Sequence, residues 1–161
     1  MKKLILVRHA KSSWEGSVED KARSLTKRGI RDAHLVSLEI PKYFPKNFII
    51  WSSSAKRAVE TAMIFTQNIS FPIENIIFKD ELYTFDAKEL EKAIKSCNND
   101  HDCLILFGHN AAITDFVNKF GDIFIENVPT SGLVSIDFDI NSWEDIKKGK
   151  TRRTLFPKDF R

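Results

Sequence analysis

The stretch LILVRH at residues 4–9 decides the fold, because four apolar residues in a row are followed at once by an arginine and a histidine. A short apolar run flanked by charge is typical of a strand buried on both faces of a sheet. Similar runs at 48–51 and 103–107 are each followed by a segment whose apolar residues have helical spacing. Strands that alternate with helices predict an α/β domain with a mainly parallel central sheet and right-handed crossovers.

Caps and chain breakers mark several element ends. Thr26 is expected to cap a first helix that ends at Pro41, and Asp86 is expected to cap a third helix. Gly121 is expected to end a fourth helix, and the alternation over 133–138 predicts a strand with one face more exposed. The predicted strands are 4–7, 48–51, 76–78, 103–107 and 133–138.

Composition places the whole chain, residues 1–161, in one globular domain. Of its 161 residues, 42% are apolar and 29% are charged, which is ordinary for a domain with one sizeable core. No Gly/Ser-rich, Pro-rich or repeated segment suggests a linker or a domain boundary. A disordered or fibrous protein is therefore not expected.

The sequence also predicts a compartment. The apolar run at 4–7 is shorter than the roughly 7 to 15 residues of a signal-peptide core. No apolar stretch approaches the roughly 20 residues that span a bilayer. Cys97 and Cys103 have neither Cys-x-x-Cys nor zinc-ligand spacing, so they are expected to be buried or idle thiols. We expect a soluble, cytoplasmic protein that does not associate with a membrane.

The basic C-terminal stretch at 147–161 raises the possibility of nucleic-acid binding. It supplies much of the formal net charge of +3. No recognition helix, zinc finger or aromatic RNA-binding platform accompanies it, so a solvated basic terminus is favoured and no nucleic-acid partner is expected. A basic surface also suits an anionic substrate.

Polar residues follow four of the predicted strands. Arg8 and His9 follow the first, 52–57 the second, Glu81 the third and His109 the fourth. In open α/β sheets, ligands bind outside the carboxyl ends of the strands. We therefore expect these residues to form an anion site with acid–base capability.

Phosphoryl transfer is the chemistry that these residue types favour. It requires positioning and positive charge around a loose transition state, which Arg8 and Arg57 could supply as a clamp. The neutral imidazole of His9 could attack phosphorus and form a phosphohistidine intermediate. His109 could donate a hydrogen bond to a phosphoryl oxygen when a bound phosphate keeps it protonated.

The leaving group requires a proton, for which Glu81 is the candidate, with Asp80 and Asp86 as rivals. No magnesium loop, Walker-type loop or paired aspartates occur, so neither a metal nor a cofactor is implied. Each candidate also has a structural interpretation. His9 could be a structural histidine, Arg57 a solvated charge at a helix start, and 108–110 a helix cap.

Three stretches resemble the histidine phosphatase superfamily, which includes cofactor-dependent phosphoglycerate mutases, and within it the SixA-type phosphohistidine phosphatases. LILVRHAKS at 4–12 resembles the family's opening Arg-His-Gly motif, with Ala10 in place of the glycine. SSSAKRAVETA at 52–62 resembles its second-arginine motif, and LFGHN at 106–110 its second-histidine motif. The resemblance implies a phosphoglycerate mutase-like, three-layer α/β/α fold.

The resemblance also implies roles for individual residues. His9 would be the phosphorylated nucleophile, and Arg8, Arg57 and His109 would form the phosphate pocket. Glu81 matches the proton donor of larger relatives. Three residues either line the mouth of the pocket or lie on the surface: Lys11, Ser12 and Arg23.

The function implied is that of a metal-independent phosphatase that dephosphorylates phosphohistidine on a signalling protein. The chain lacks the insertions that enclose a sugar phosphate in mutases, and Glu15 replaces a mutase asparagine. Two alternatives stay open: a small-molecule phosphatase with the same chemistry, and a non-catalytic phosphate-binding module.

Overall fold

The structure, a computed structural model, describes residues 1–16 and 19–161. Within these residues, six strands form one sheet with helices on both faces. The strands are β1 (Lys2–Arg8), β2 (Ile49–Ser53), β3 (Ile77–Lys79), β4 (Cys103–Gly108), β5 (Leu133–Phe138) and β6 (Lys150–Leu155). The α-helices are α1 (Lys27–Ser37), α2 (Ile40–Tyr43), α3 (Lys56–Asn68), α4 (Ala87–Lys95) and α5 (Ala112–Phe120).

The strand order is β3-β2-β4-β1-β5-β6. The first four strands in this order run parallel, whereas β5 is antiparallel to β1 and β6 is antiparallel to β5. The predicted mainly parallel sheet is therefore confirmed, with two antiparallel strands added at one side.

The continuous apolar run of β1 contributes side chains to two separate hydrophobic cores, one on each face of the sheet. Leu4 and Leu6 pack in the core beneath α4 and α5, whereas Ile5 and Val7 pack in the core beneath α1 and α3. Successive side chains of a strand point to opposite faces, so a strand covered on both sides must be apolar at every position. This is the three-layer α/β/α arrangement.

Two of the predicted helix caps are present. The Thr26 hydroxyl accepts a hydrogen bond from the Gly29 N–H (3.0 Å), and the Asp86 carboxylate accepts one from the Lys88 N–H (3.0 Å). Gly121 follows the last residue of α5, as expected. The first helix differs from its prediction, because α1 ends at Ser37 and Pro41 lies in the first turn of the separate helix α2, where its missing N–H costs nothing.

The prediction that one face of β5 is more exposed holds only at Asp137, which is partly exposed. Ser135, expected on the same face, is fully buried. β6 pairs along the other edge of β5, so β5 is an internal strand. The basic stretch expected as a solvated terminus contains β6. Its Arg152 and Arg153 side chains point to solvent, and the Arg152 guanidinium bonds the Asp137 carboxylate at 2.8 Å.

No helix in the described part of the chain is both long enough and apolar enough to cross a membrane.

Candidate active site

The carboxyl ends of β1, β2 and β4 meet at one edge of the sheet. These strands are parallel neighbours, and Arg8 at the end of β1 lies directly opposite Gly108 at the end of β4. The next residues, His9 and His109, therefore leave the sheet side by side, and their ring centroids are 5.3 Å apart. Arg57, in the first turn of α3 after β2, reaches the same edge.

His9 is held in one orientation and one tautomer. Its Nδ1 lies 2.7 Å from the Ala10 carbonyl oxygen. Because a carbonyl oxygen only accepts, Nδ1 must carry the proton, and Nε2 is left with a free lone pair. The Ala10 N–H is in turn fixed by the hydroxyl of Thr61 at 2.9 Å.

Burial also keeps the His9 imidazole uncharged. Burial is the largest cause that lowers the pKa of His9 from 6.5 to about 4. The hydrogen bond to Ala10 opposes this shift, whereas the positive charges of Arg57 and Arg8 add to it. A neutral imidazole with an unprotonated Nε2 is the form that acts as a nucleophile at phosphorus.

Arg8 and Arg57 are held by few but directed contacts. The Arg8 Nη1 donates to the Val128 carbonyl at 2.9 Å. Arg57 is only 2% exposed and donates from Nη1 to the Asp20 carbonyl at 2.7 Å and from Nη2 to the Asp20 carboxylate at 3.0 Å. In both arginines the buried Nε has no hydrogen-bond partner among the described residues. Two unsatisfied N–H donors on arginines that line one cavity favour an anion there.

His109 is buried beside His9 and presents a second unpaired nitrogen. Its Nε2 lies 2.8 Å from the Ser53 hydroxyl, and its buried Nδ1 has no partner among the described residues. The Ser53 hydroxyl already accepts from the Ala55 N–H, so its own proton is free to be donated to Nε2. In that arrangement Nδ1 of His109 carries its proton and is a donor for a phosphoryl oxygen.

Burial, followed by the charges of His9 and Arg57, lowers the pKa of His109 to about 3. The ring is therefore neutral before an anion binds, and it still offers an N–H donor. A bound phosphate dianion raises the pKa of an adjacent imidazole, because opposite charge favours the protonated form.

Asp20 and Tyr83 complete the wall around Arg57. The Tyr83 hydroxyl donates to the same Asp20 oxygen that Arg57 contacts, at 2.5 Å. Asp20 also accepts from Arg23 Nη1 at 3.2 Å. These donors, with the Tyr83 bond as the largest cause, lower the pKa of Asp20 to about 2. Asp20 is therefore ionised near neutral pH and cannot donate a proton to a leaving group.

An open cavity of about 460 Å³ is lined by Arg8, His9, Asp20 and Arg57, whereas the buried His109 packs against His9 without lining it. The lining of the cavity includes all three residues for which the sequence allowed either the mouth of the pocket or the surface, namely Lys11, Ser12 and Arg23. Arg23 and Ser12 are buried and bonded to each other, with 2.6 Å between Arg23 Nη2 and the Ser12 hydroxyl, whereas Lys11 is exposed. Among the described lining residues, Asp20 supplies the one carboxylate.

The structure does not bring Glu81 to this cavity. Glu81 is exposed and is absent from the cavity lining. Of its rivals, Asp80 is exposed and accepts hydrogen bonds from Ser54 and Lys21, and Asp86 caps α4. A general acid among these three carboxylates thus has no support from the geometry.

A second cavity, of about 410 Å³, lies around α2 and the end of α3. It is lined mainly by apolar side chains, including Phe44, Phe48 and Phe71, and Lys46 is the one charged residue that the described part of the chain contributes to its lining. It contains none of the groups that phosphoryl transfer requires.

Sequence reasoning missed several residues of the site. Asp20 and Tyr83 reach Arg57 from loops with no motif, and only the tertiary fold brings them there. Ser53 stood in the quoted second-arginine stretch, and its place three residues before the start of helix α3 was the available signal.

Comparison with solved structures finds the same fold. A protein assigned as the phosphohistidine phosphatase SixA of Nakamurella multipartitia superposes with a TM-score of 0.80 at 20% identity, covering 97% of this chain and 96% of that one. The protein histidine phosphatase SixA complexed with tungstate gives 0.80 at 16%, covering 99% of both chains. A mycobacterial glucosyl-3-phosphoglycerate phosphatase gives 0.67 at 11%, covering 98% of this chain and 99% of that one. At these identities the likeness establishes the fold.

Comparison by sequence identifies the family. No curated protein matches the chain. The model of the histidine phosphatase superfamily (branch 1) matches residues 4–96, which is more than half of the chain and includes Arg8, His9 and Arg57. The chain belongs to the histidine phosphatase superfamily.

Proposed function

We propose that this phosphatase needs no metal, works through a phosphohistidine intermediate on His9, and removes phosphate from phosphohistidine on a signalling protein. The observation that carries the proposal is the fixed Nδ1–H bond from His9 to the Ala10 carbonyl, which leaves Nε2 unprotonated on a residue that lines the same cavity as Arg8 and Arg57. We propose in addition that residues 1–161 act as one domain and that the site works in the cytoplasm.

The reaction has two steps. In the first, the Nε2 lone pair of His9 forms a bond to phosphorus while the bond from phosphorus to the substrate nitrogen breaks. In the second, water forms a bond to phosphorus, the bond to Nε2 breaks and restores the neutral imidazole, one proton of the water passes to solvent, and inorganic phosphate leaves. Arg8, Arg57 and His109 hold the equatorial oxygens in both steps and stabilise the charge on them. The positive charge that a metal provides elsewhere comes here from the two guanidinium groups.

The absence of a placed proton donor in the described site favours an imidazole leaving group. Glu81 lies outside the cavity, and Asp20 is ionised. An alkoxide needs a proton to depart, whereas an imidazole whose distal nitrogen already carries a proton departs as a neutral molecule. A phosphohistidine substrate therefore suits this site better than a sugar phosphate does.

The second candidate is a small-molecule phosphomonoesterase that uses the same residues. A cavity of about 460 Å³ is within the range of small-ligand sites, which favours this alternative. A non-catalytic phosphate-binding module is less well supported, because binding alone does not require a nucleophile with a fixed tautomer. We propose a phosphorylated protein as the main partner and a small phosphorylated compound as the alternative.

Hydrolysis assays with EDTA present test the proposal. The substrates are a protein phosphorylated on histidine, p-nitrophenyl phosphate and several sugar phosphates. We expect the wild type to prefer the phosphohistidine protein and to lose turnover by at least about a thousandfold in His9→Ala, since the nucleophile is gone. Rapid-quench labelling should detect an acid-labile phosphoenzyme in the wild type and none in His9→Ala.

His101→Ala is the matched control, because His101 does not line the cavity. It should keep wild-type turnover. Faster turnover of a sugar phosphate would favour the small-molecule alternative, and full activity in His9→Ala would refute the mechanism.

A further inference from the structure

Two large aromatic side chains stand exposed at the mouth of the catalytic cavity. Trp14 is 75% exposed and Phe85 is 53% exposed, and both line the cavity that contains His9. Single exposed apolar residues are normal on protein surfaces. Two that border the same polar cavity indicate a contact surface for something that enters it. The reaction as derived above uses neither of them.

Trp14 is placed by a buried cation. Its ring centroid lies 3.2 Å from Cζ of Arg23, so one face of the indole stacks on the guanidinium. Arg23 is fixed in turn, because its Nε donates to the Ser13 carbonyl at 3.1 Å and its Nη2 to the Ser12 hydroxyl at 2.6 Å. Most of the remaining indole surface is open to solvent at the cavity mouth.

Phe85 is placed by two edge-to-face contacts. Its ring centroid lies 5.8 Å from that of Tyr83 and 5.6 Å from that of His109, with interplanar angles of 74° and 71°. Tyr83 is itself anchored to Asp20. Phe85 is therefore an oriented ring beside His109, and about half of its surface is free.

We propose that Trp14 and Phe85 form a subsite for a planar ring on the leaving-group side of the phosphoryl centre. This inference deepens the proposed function and rests on it. Aromatic faces bind a flat ring by stacking, and they attract it more strongly when it carries positive charge. The imidazole of phosphohistidine is flat, and it is cationic when its distal nitrogen is protonated. The subsite favours phosphoryl donors whose leaving group contains a ring, and it contributes little binding energy to a donor without a ring.

Two small substrates with the same type of bond separate ring binding from phosphoryl chemistry. N-phosphoimidazole loses imidazole and phosphoramidate loses ammonia, and in both a phosphorus–nitrogen bond breaks. The measurement is kcat/KM on each substrate for the wild type, Trp14→Ala and Phe85→Ala. We expect each variant to lose about 3- to 10-fold on N-phosphoimidazole and less than about 2-fold on phosphoramidate.

Phe124→Ala and Phe78→Ala are matched controls. Phe124 is 80% exposed and Phe78 is 49% exposed, close to Trp14 and Phe85, and neither lines the cavity. Both controls should keep the wild-type kcat/KM on the two substrates.

Other outcomes are decisive as well. Equal losses on both substrates would overturn the inference, because they would mean that the rings only hold Arg23 and His109 in place. No loss on N-phosphoimidazole would also overturn it. If the wild type hydrolyses no phosphorus–nitrogen bond but does hydrolyse esters, the proposed phosphohistidine substrate fails. Phenyl phosphate against ethyl phosphate then tests the ring subsite, and equal variant losses on these two would overturn it.

Discussion

A single backbone hydrogen bond determines what His9 can do. Without the Ala10 carbonyl at 2.7 Å, a neutral imidazole would exchange its proton between the two nitrogens. The bond places the proton on Nδ1, so the lone pair of Nε2 is always available. Burial acts in the same direction by keeping the ring uncharged.

We predict that NMR will find His9 neutral, with its proton on Nδ1, throughout the range from about pH 5 to pH 8. The physical reason is the lowered pKa of about 4 combined with the carbonyl acceptor. Long-range ¹H–¹⁵N spectra of the imidazole nitrogens measure both tautomer and charge. The chain has four histidines, so a His9→Gln variant assigns the signal by its loss. A titration centred near 6.5, or a protonated Nε2, would contradict the prediction.

Motif residues and supporting residues differ in how far sequence reveals them. Arg8 ends a strand, and His9 and His109 directly follow strands. Parallel strands end at one edge, so the meeting of these residues was predictable from the apolar pattern alone. Asp20 contacts Arg57 across 37 residues of sequence, through a loop with no periodic pattern. Glu81 also follows a strand, but the short turn after β3 leaves it exposed. A position directly after a strand predicts the edge of the sheet at which a residue lies. It does not predict the direction in which the side chain of that residue points.

At the scale of elements, the loop after β1 is held against the start of α1. The Lys11 carbonyl accepts from the Thr26 N–H at 2.9 Å, and a Cβ at Gly29 would overlap that same carbonyl oxygen. Only glycine permits so close an approach of helix and loop. The contact positions the loop residues Lys11 and Ser12, which line the cavity.

We predict that Gly29→Ala lowers both stability and activity. The added methyl group must push the loop away from α1, which costs about 1 to 3 kcal/mol of stability and shifts Ser12 and Arg23. Misplacement of about 1 Å in a catalytic site can reduce rates up to a hundredfold, so we expect kcat/KM to fall about 10-fold or more. Thermal unfolding and p-nitrophenyl phosphate hydrolysis measure the two effects.

Gly149→Ala is the matched control for this prediction. A Cβ there would also overlap a backbone carbonyl oxygen, that of Asp137. However, Gly149 precedes β6, which runs in the same direction as β1, so it lies at the opposite end of the sheet from the site. It should lose stability and keep its kcat/KM. If both variants lost activity equally, the effect would be one of general destabilisation.

The elements themselves were predictable where burial imposes a pattern. The central positions of β1 (4–7) and of β4 (103–107) are covered on both faces, so these positions are all apolar and each run is visible in the sequence. β6 is an edge strand with four of six residues exposed. Because it is rich in charged residues, it has no apolar run by which the sequence could predict a strand. Charged side chains on an edge strand discourage pairing with other chains, so the same feature that protects the edge masks the strand.

For the whole molecule, the buried histidines of the site make the folded state less stable as pH falls. His9 and His109 are buried and neutral, with pKa values lowered to about 4 and about 3. Both would titrate near 6.5 in the unfolded chain. Between about pH 6.5 and pH 4 the unfolded state therefore binds more protons than the folded state does. As a result, the free energy of unfolding must decrease as pH is lowered. Asp20, whose pKa is about 2, contributes a loss only below about pH 4.

We predict that stability falls between pH 8 and pH 5 by about 2 kcal/mol for each of the two histidines. Urea unfolding at each pH measures the free energy, and the slope against pH reports the protons taken up. His9→Gln and His109→Gln should each reduce the slope, and the double variant should remove most of it, whatever their effect on stability at pH 8. Added inorganic phosphate should stabilise the wild type, because an anion bound by Arg8 and Arg57 favours the folded state. A double variant with the wild-type slope would show that these histidines are not buried in their neutral form, and the neutral nucleophile on which the mechanism depends would be lost with it.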